Sequence, residues 1–294
     1  MFITLIGISL GVLLLNFSSP EKYEPFILIS LLLSLALIPI LLTKRKAPKF
    51  KKLGYINIKG LYKTSPLGTV SMFCTGIIHS ALFSLGAVYA ATMNFTIFEI
   101  SLLLFLITVS GGVFQLPIGY YSDKSDRRII IIFCTFFAAL FCSLAIFASG
   151  TSLQNMYLAT SVGIDKIMFF VYVALYSGMA IPLFTLNLAY VNDYIPKEKF
   201  VAAGGGMQII FGLGAMIGPL LCSLIMNKFG TNGFFVHLLF FHLVIGAFGL
   251  YRITKRTYKD NPESTFTPLP RNITPLGIEL DPTTGADISN SEKK

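Results

Sequence analysis

Tryptophan is absent from the 294 residues, cysteine occurs four times, histidine three times, and charged side chains make up only 13% of the chain. Soluble domains carry about a quarter charged residues, so this shortage, set beside 54% hydrophobic residues, excludes an ordinary water-soluble globule. Cys74, Cys134, Cys142 and Cys222 all fall inside apolar runs at no metal-ligand spacing and read as small buried residues rather than a disulfide framework. There is no Cys-x-x-Cys, no His-Glu-x-x-His and no phosphate loop, so no catalytic constellation, cofactor or metal is expected. Acidic residues are missing altogether from 43–66, where Lys44, Arg45, Lys46, Lys49, Lys51, Lys52, Lys59 and Lys63 stand alone. The basic residues gather at the ends of apolar runs rather than along one patch, which argues for membrane topology and against nucleic acid as a partner.

What the chain has in quantity is long apolar runs. Eight are near the 20 residues that a helix needs to cross the hydrocarbon layer: 2–17, 25–42, 67–92, 97–121, 129–149, 165–191, 200–226 and 234–252. The first lacks the basic leader and small-residue cleavage site of a removable signal, so it reads as a span. Counting Lys and Arg by loop gives 17 on one side against three on the other, Lys22, Lys166 and Lys228. This predicts an all-α integral membrane protein of eight transmembrane helices, multi-pass in a plasma (inner) membrane, with both termini cytoplasmic. Residues 257–294 are rich in Pro, Thr, Asn and Asp without apolar periodicity and are predicted to be disordered.

Between the fourth and fifth runs lies Gly119-Tyr120-Tyr121-Ser122-Asp123-Lys124-Ser125-Asp126-Arg127-Arg128, a compact charged turn. Gly119, Ser122, Asp123, Lys124, Arg127 and Arg128 match a pattern with Gly, Ala or Ser, Asp, a basic residue and a closing basic pair. This resembles the cytoplasmic signature turn of the major facilitator superfamily of secondary transporters. Tyr121 stands where the family usually has Leu, and Asp126 where it usually has Gly. Gln115-Leu116-Pro117-Ile118-Gly119 also looks like the lead-in of the bacterial group typified by the inner membrane protein YcaD.

The resemblance implies a major facilitator-type helix bundle, usually twelve helices in two six-helix halves. The basic connector 44–66 would then join the halves, 1–43 would hold the last two helices of an incomplete N-terminal half, and 67–256 would form a complete C-terminal half. The Gly7–Leu14 and Gly214–Leu221 stretches, each opening with glycines four apart, are consistent with that repeat. A chain lacking the first four helices would not be expected to transport alone. The resemblance further implies a charge relay in which Asp123 lies near the start of the first span at Phe2 and Arg127 meets Asp193. A non-transporting membrane protein, either a remnant or an assembly partner, is the alternative.

Polar residues inside apolar spans are the candidates for a substrate path: His79, Thr108, Gln115, Tyr176, Asn187 and Gln208. His79 is nearest the centre of its span. The glycines of Gly212-x-Gly214-x-x-x-Gly218 follow no strand, so they read as helix-packing positions rather than a nucleotide loop, with Pro219 as a kink. The expected partners are the lipid bilayer and a small solute; neither the substrate nor a coupling ion is legible.

Overall fold

In lipid an apolar segment satisfies its backbone through the internal hydrogen bonds of a helix. The computed structural model describes residues 2–16, 22–42, 57–155, 164–196 and 199–255, and its regular elements are helical throughout. They are α1 (Phe2–Leu13), prolonged by a 3₁₀ turn (Leu14–Asn16), α2 (Glu24–Leu42), α3 (Ile58–Thr64), α4 (Pro66–Thr92), α5 (Ile97–Lys124), α6 (Arg127–Asn155), α7 (Ile164–Ala180), α8 (Leu183–Asn192), α9 (Phe200–Phe229) and α10 (Gly233–Lys255). The predicted disordered tail lies outside the described residues.

Six membrane spans are long and apolar enough to cross: α4, α5, α6, α7 with α8, α9 and α10. Two of the eight expected runs form shorter apolar helices. The twelve residues of α1 rise about 18 Å, against roughly 30 Å of hydrocarbon. Beyond Leu13 the chain tightens into the 3₁₀ turn, and the Asn16 amide donates back to the Leu13 carbonyl at 3.1 Å.

Local chemistry sets several boundaries. Pro66 occupies the first turn of α4, where its missing N–H costs nothing. Thr96 caps α5 reciprocally: its hydroxyl accepts from Glu99 N at 3.3 Å, and its own N–H donates to Glu99 Oε2 at 2.8 Å. The run 165–191, expected as one helix, is broken at Ile181–Pro182 into α7 and α8. Proline lacks the N–H that would continue the ladder, and its ring crowds the preceding turn.

At the centre of the bundle, α4 packs on α9, α10 and α8; α6 packs on α7 and α10, and α5 on α7. Glycine permits the closest crossing. A Cβ at Gly76 would stand 2.2 Å from the Phe211 carbonyl oxygen, and one at Gly214 would stand 2.2 Å from that of Phe73. Gly218 faces the Ile77 carbonyl in the same way. Gly111 and Gly178 likewise let α5 close on the α7–α8 break, against Ile181 and Phe114. The outward faces are apolar, with Phe136, Phe147, Met216 and Leu220 exposed, as a lipid-facing surface requires. Outside this bundle, α1 lies along α5.

Candidate functional site

The loop between α5 and α6 is a two-residue transition, Ser125 and Asp126, built around its charges. Lys124 ends α5, where a cation complements the helix dipole, and its ammonium rests on the Tyr120 ring and hydrogen-bonds the Tyr120 hydroxyl. Two arginines open α6, a position where the dipole disfavours cations, and carboxylates offset both. Asp126 accepts from Arg128 N at 2.9 Å and pairs with the Arg128 guanidinium at 2.5 and 3.0 Å. Asp126, one of the two departures from the family pattern, thereby acts as the N-cap of α6. Arg127 Nη2 donates to Asp123 Oδ1 at 2.8 Å, and its Nε lies 3.6 Å from Oδ2 of Asp193 at the end of α8. Arg127 and Asp193 are buried, so α5, α6 and α8 meet in one ionic cluster. Gly119 and Ser122 are buried on the last turns of α5. The expected approach of Asp123 to Phe2, which heads α1, falls on a side chain outside the described residues.

Three of the polar candidates converge on the α7–α8 break. His79 Nε2 donates to the Ala180 carbonyl at 3.0 Å, at the last residue of α7, where carbonyls have lost their intrahelical donors. Gln115 Nε2 donates to Thr185 Oγ1 at 3.2 Å, and Asn187 Nδ2 donates to Thr75 Oγ1 at 3.1 Å. The break is therefore held from α4 on two levels and from α5 on one. Phe211 of α9 stands edge-on to both His79 and Phe184 beside it. All three polar residues are buried, and Asn187 Oδ1 has no hydrogen-bond partner among the described residues. An acceptor kept unsatisfied in an apolar interior costs about 1–3 kcal/mol.

The remaining candidates lie elsewhere. Tyr176 is fully buried between α7 and α10, with its hydroxyl 3.3 Å from His242 Nε2. The Thr108 hydroxyl lies 2.6 Å from that of Ser9, tying α5 to α1. Gln208 sits half-buried on α9. Gly214 and Gly218 lie in the α4–α9 crossing, and Pro219 follows them inside α9. Sequence reasoning missed Thr75, Thr185, Ser9 and His242, whose roles depend on partners distant in the chain. It also missed Pro182, whose lone proline within a run was a readable signal. Among the described residues no group of three or more His, Cys, Asp or Glu could hold a metal ion.

Comparison with known proteins agrees with the turn. The uncharacterized MFS-type transporter YfkF of Bacillus subtilis is 24% identical over 215 residues, covering 72% of this chain and 50% of YfkF. The uncharacterized MFS-type transporter YcaD of Escherichia fergusonii is 19% identical over 238 residues, covering 80% of this chain and 58% of YcaD. The chain thus spans about half the length of the curated relatives it matches. No solved structure matches it. The family model described as Major Facilitator Superfamily matches residues 1–186 and again 68–282. With that match and this fold, the chain belongs to the Major Facilitator Superfamily.

Proposed function

We propose that this chain forms part of a secondary active transporter that moves a small solute by alternating access, in a plasma (inner) membrane with both termini cytoplasmic. The observation that carries the reading is the interrupted helix α7–α8, braced by His79, Gln115 and Asn187 and leaving the Asn187 Oδ1 acceptor bare. Broken helices near mid-span are where transporters of this kind place their binding sites, because the interruption frees backbone and polar groups inside an otherwise apolar layer. Asn187 would accept from a donor group on the solute, and Thr75 would hold the Asn187 amide in place. The ionic cluster of Asp123, Arg127 and Asp193 would set the balance between inward and outward states at one end of the bundle.

Uptake into cells producing the transporter of which this chain forms part, screened over sugars, amino acids and amphipathic drugs against cells lacking it, tests the proposal. A solute with protein-dependent saturable uptake is expected, and Asn187→Ala should raise its KM about tenfold, the effect of losing roughly 1.4 kcal/mol of binding. Uptake with unchanged KM in Asn187→Ala, Gln115→Ala and His79→Ala alike would place the site elsewhere.

A further inference from the structure

The two ends of the six-helix bundle differ in their unpaired charge. At the end carrying the ionic turn, the described carboxylates Asp123, Asp126 and Asp193 are engaged by Arg127 and Arg128. Lys59, Lys63, Lys199 and Lys255 at that end are exposed and enter no ion pair among the described residues. At the opposite end Lys166 is paired with Glu99, and the exposed lysines among the described residues are fewer, Lys22 and Lys228. Of the five exposed tyrosines among the described residues, Tyr62, Tyr120, Tyr121 and Tyr251 lie at the ionic end, and Tyr23 stands before α2. Lysine and tyrosine are paired there, with Lys124 over the Tyr120 ring and Lys255 5.8 Å from the centre of Tyr251. Tyrosine rings favour the headgroup level of a membrane, and a lysine extended from that level meets phosphate.

The short helix α3 gives this collar a fixed point. Asn57 caps it by accepting from Lys59 N at 3.1 Å, and Leu61 is fully buried in one cluster with Met72 of α4 and Phe200 and Ala203 of α9. Pinned by Leu61, α3 exposes Ile58, Lys59, Tyr62 and Lys63, while Lys199 emerges next to Phe200 at the same cluster. Ile58 and Tyr62 suit the boundary of the acyl layer, and the three ammonium groups around them suit anionic headgroups.

We infer that Lys59, Lys63 and Lys199, set around the Leu61–Phe200 seam with Tyr62, form a binding surface for the headgroups of anionic phospholipids. Each lysine near a charged bilayer is drawn to its anionic headgroups, so three make a surface selective for anionic over zwitterionic lipid. The partner is the lipid itself rather than soluble phosphate, because the cations sit beside exposed apolar and aromatic side chains that free phosphate would not engage.

The test uses the full chain in vesicles of mixed phosphatidylcholine and phosphatidylglycerol carrying a trace of photoactivatable lipid of one or the other headgroup. Adducts are assigned to peptides by mass spectrometry. Peptides bearing Lys59 to Lys63 and Lys199 are expected to label several-fold more with the phosphatidylglycerol probe, while those bearing Lys166 and Lys228 label equally with both. In Lys59→Gln/Lys63→Gln/Lys199→Gln the preference should fall to about one, and inorganic phosphate should not compete. Equal labelling at the two ends of the wild-type protein would overturn the inference without reference to any variant. So would a preference untouched by the triple substitution or abolished by inorganic phosphate.

Discussion

Helices α2 and α4 are both apolar, yet the chain uses them in opposite ways. On α4 the polar, small and apolar residues alike are buried, from Leu67 through Thr75, Gly76 and His79 to Tyr89. On α2 every described side chain other than Pro25 and Leu28 is exposed, Leu41 and Leu42 most of all. Hydropathy does not separate them, because lipid accepts an apolar side chain as readily as a protein core does. Buried small and polar residues do separate them: α4 carries glycine, serine, threonine and histidine where neighbours approach, whereas α2 is mainly leucine and isoleucine, and its Ser34 bonds back to the Ser30 carbonyl of its own helix. In a bilayer the residues that are not hydrophobic mark the packed interior.

Substitutions in the bundle and in the leading helices should therefore differ sharply in cost. The largest effect is expected at Arg127, which neutralises two carboxylates from a nearly dry position. Arg127→Ala should cost about 3–5 kcal/mol, the usual price of stranding a buried charge. Thermal unfolding followed by labelling of the four buried cysteines measures it, and a loss below about 1 kcal/mol, the range of exposed pairs, would show the cluster to be solvated.

Next comes Gly214→Ala, whose new methyl meets the Phe73 carbonyl; overpacking of this kind costs about 1–3 kcal/mol. Gly7→Ala on α1 is its counterpart, since nothing lies within 4 Å of the added Cβ. That change should be neutral or stabilising by up to about 1 kcal/mol, following helix propensity alone. Equal penalties at the two glycines would erase the distinction between the bundle and α1. Smallest of all is Ser9→Ala, which removes the hydroxyl beside Thr108. Thr108 keeps its bond to the Leu104 carbonyl, and interhelical hydrogen bonds in membranes average about 0.6 kcal/mol, so the melting temperature should move by only a degree or two. A drop as large as that of Gly214→Ala would make α1 an integral part of the bundle.

Much of this fold could be read before any coordinates. The turn from Gly119 to Arg128 announced the α5–α6 junction, because five charges among six residues cannot sit within hydrocarbon. The candidates His79, Gln115 and Asn187 were found by the same logic, but their meeting at one break was not. Their partners Ala180, Thr185 and Thr75 lie between 70 and 112 residues away in the chain, and no local pattern encodes such distances. The break itself was hidden because a hydropathy sum over 165–191 registers Pro182 as a small loss of apolarity, not as a missing donor. Helix α3 was concealed within a run of lysines, although Ile58, Leu61 and Tyr62 fall at helical spacing. The role of Asp126 was also invisible, since a departure from a family pattern does not say what the new residue does.

The crossing of α4 and α9 has a consequence at the level of the gene. Each of Gly76, Gly214 and Gly218 turns bare backbone toward the carbonyl of a neighbouring helix at a separation that leaves no room for a methyl group. Any single-base change in the first two positions of a glycine codon installs a side chain or a stop. At these three positions, therefore, no such change is conservative, and they form a small mutational target where variation is expected to be eliminated while leucine and isoleucine drift freely along α2.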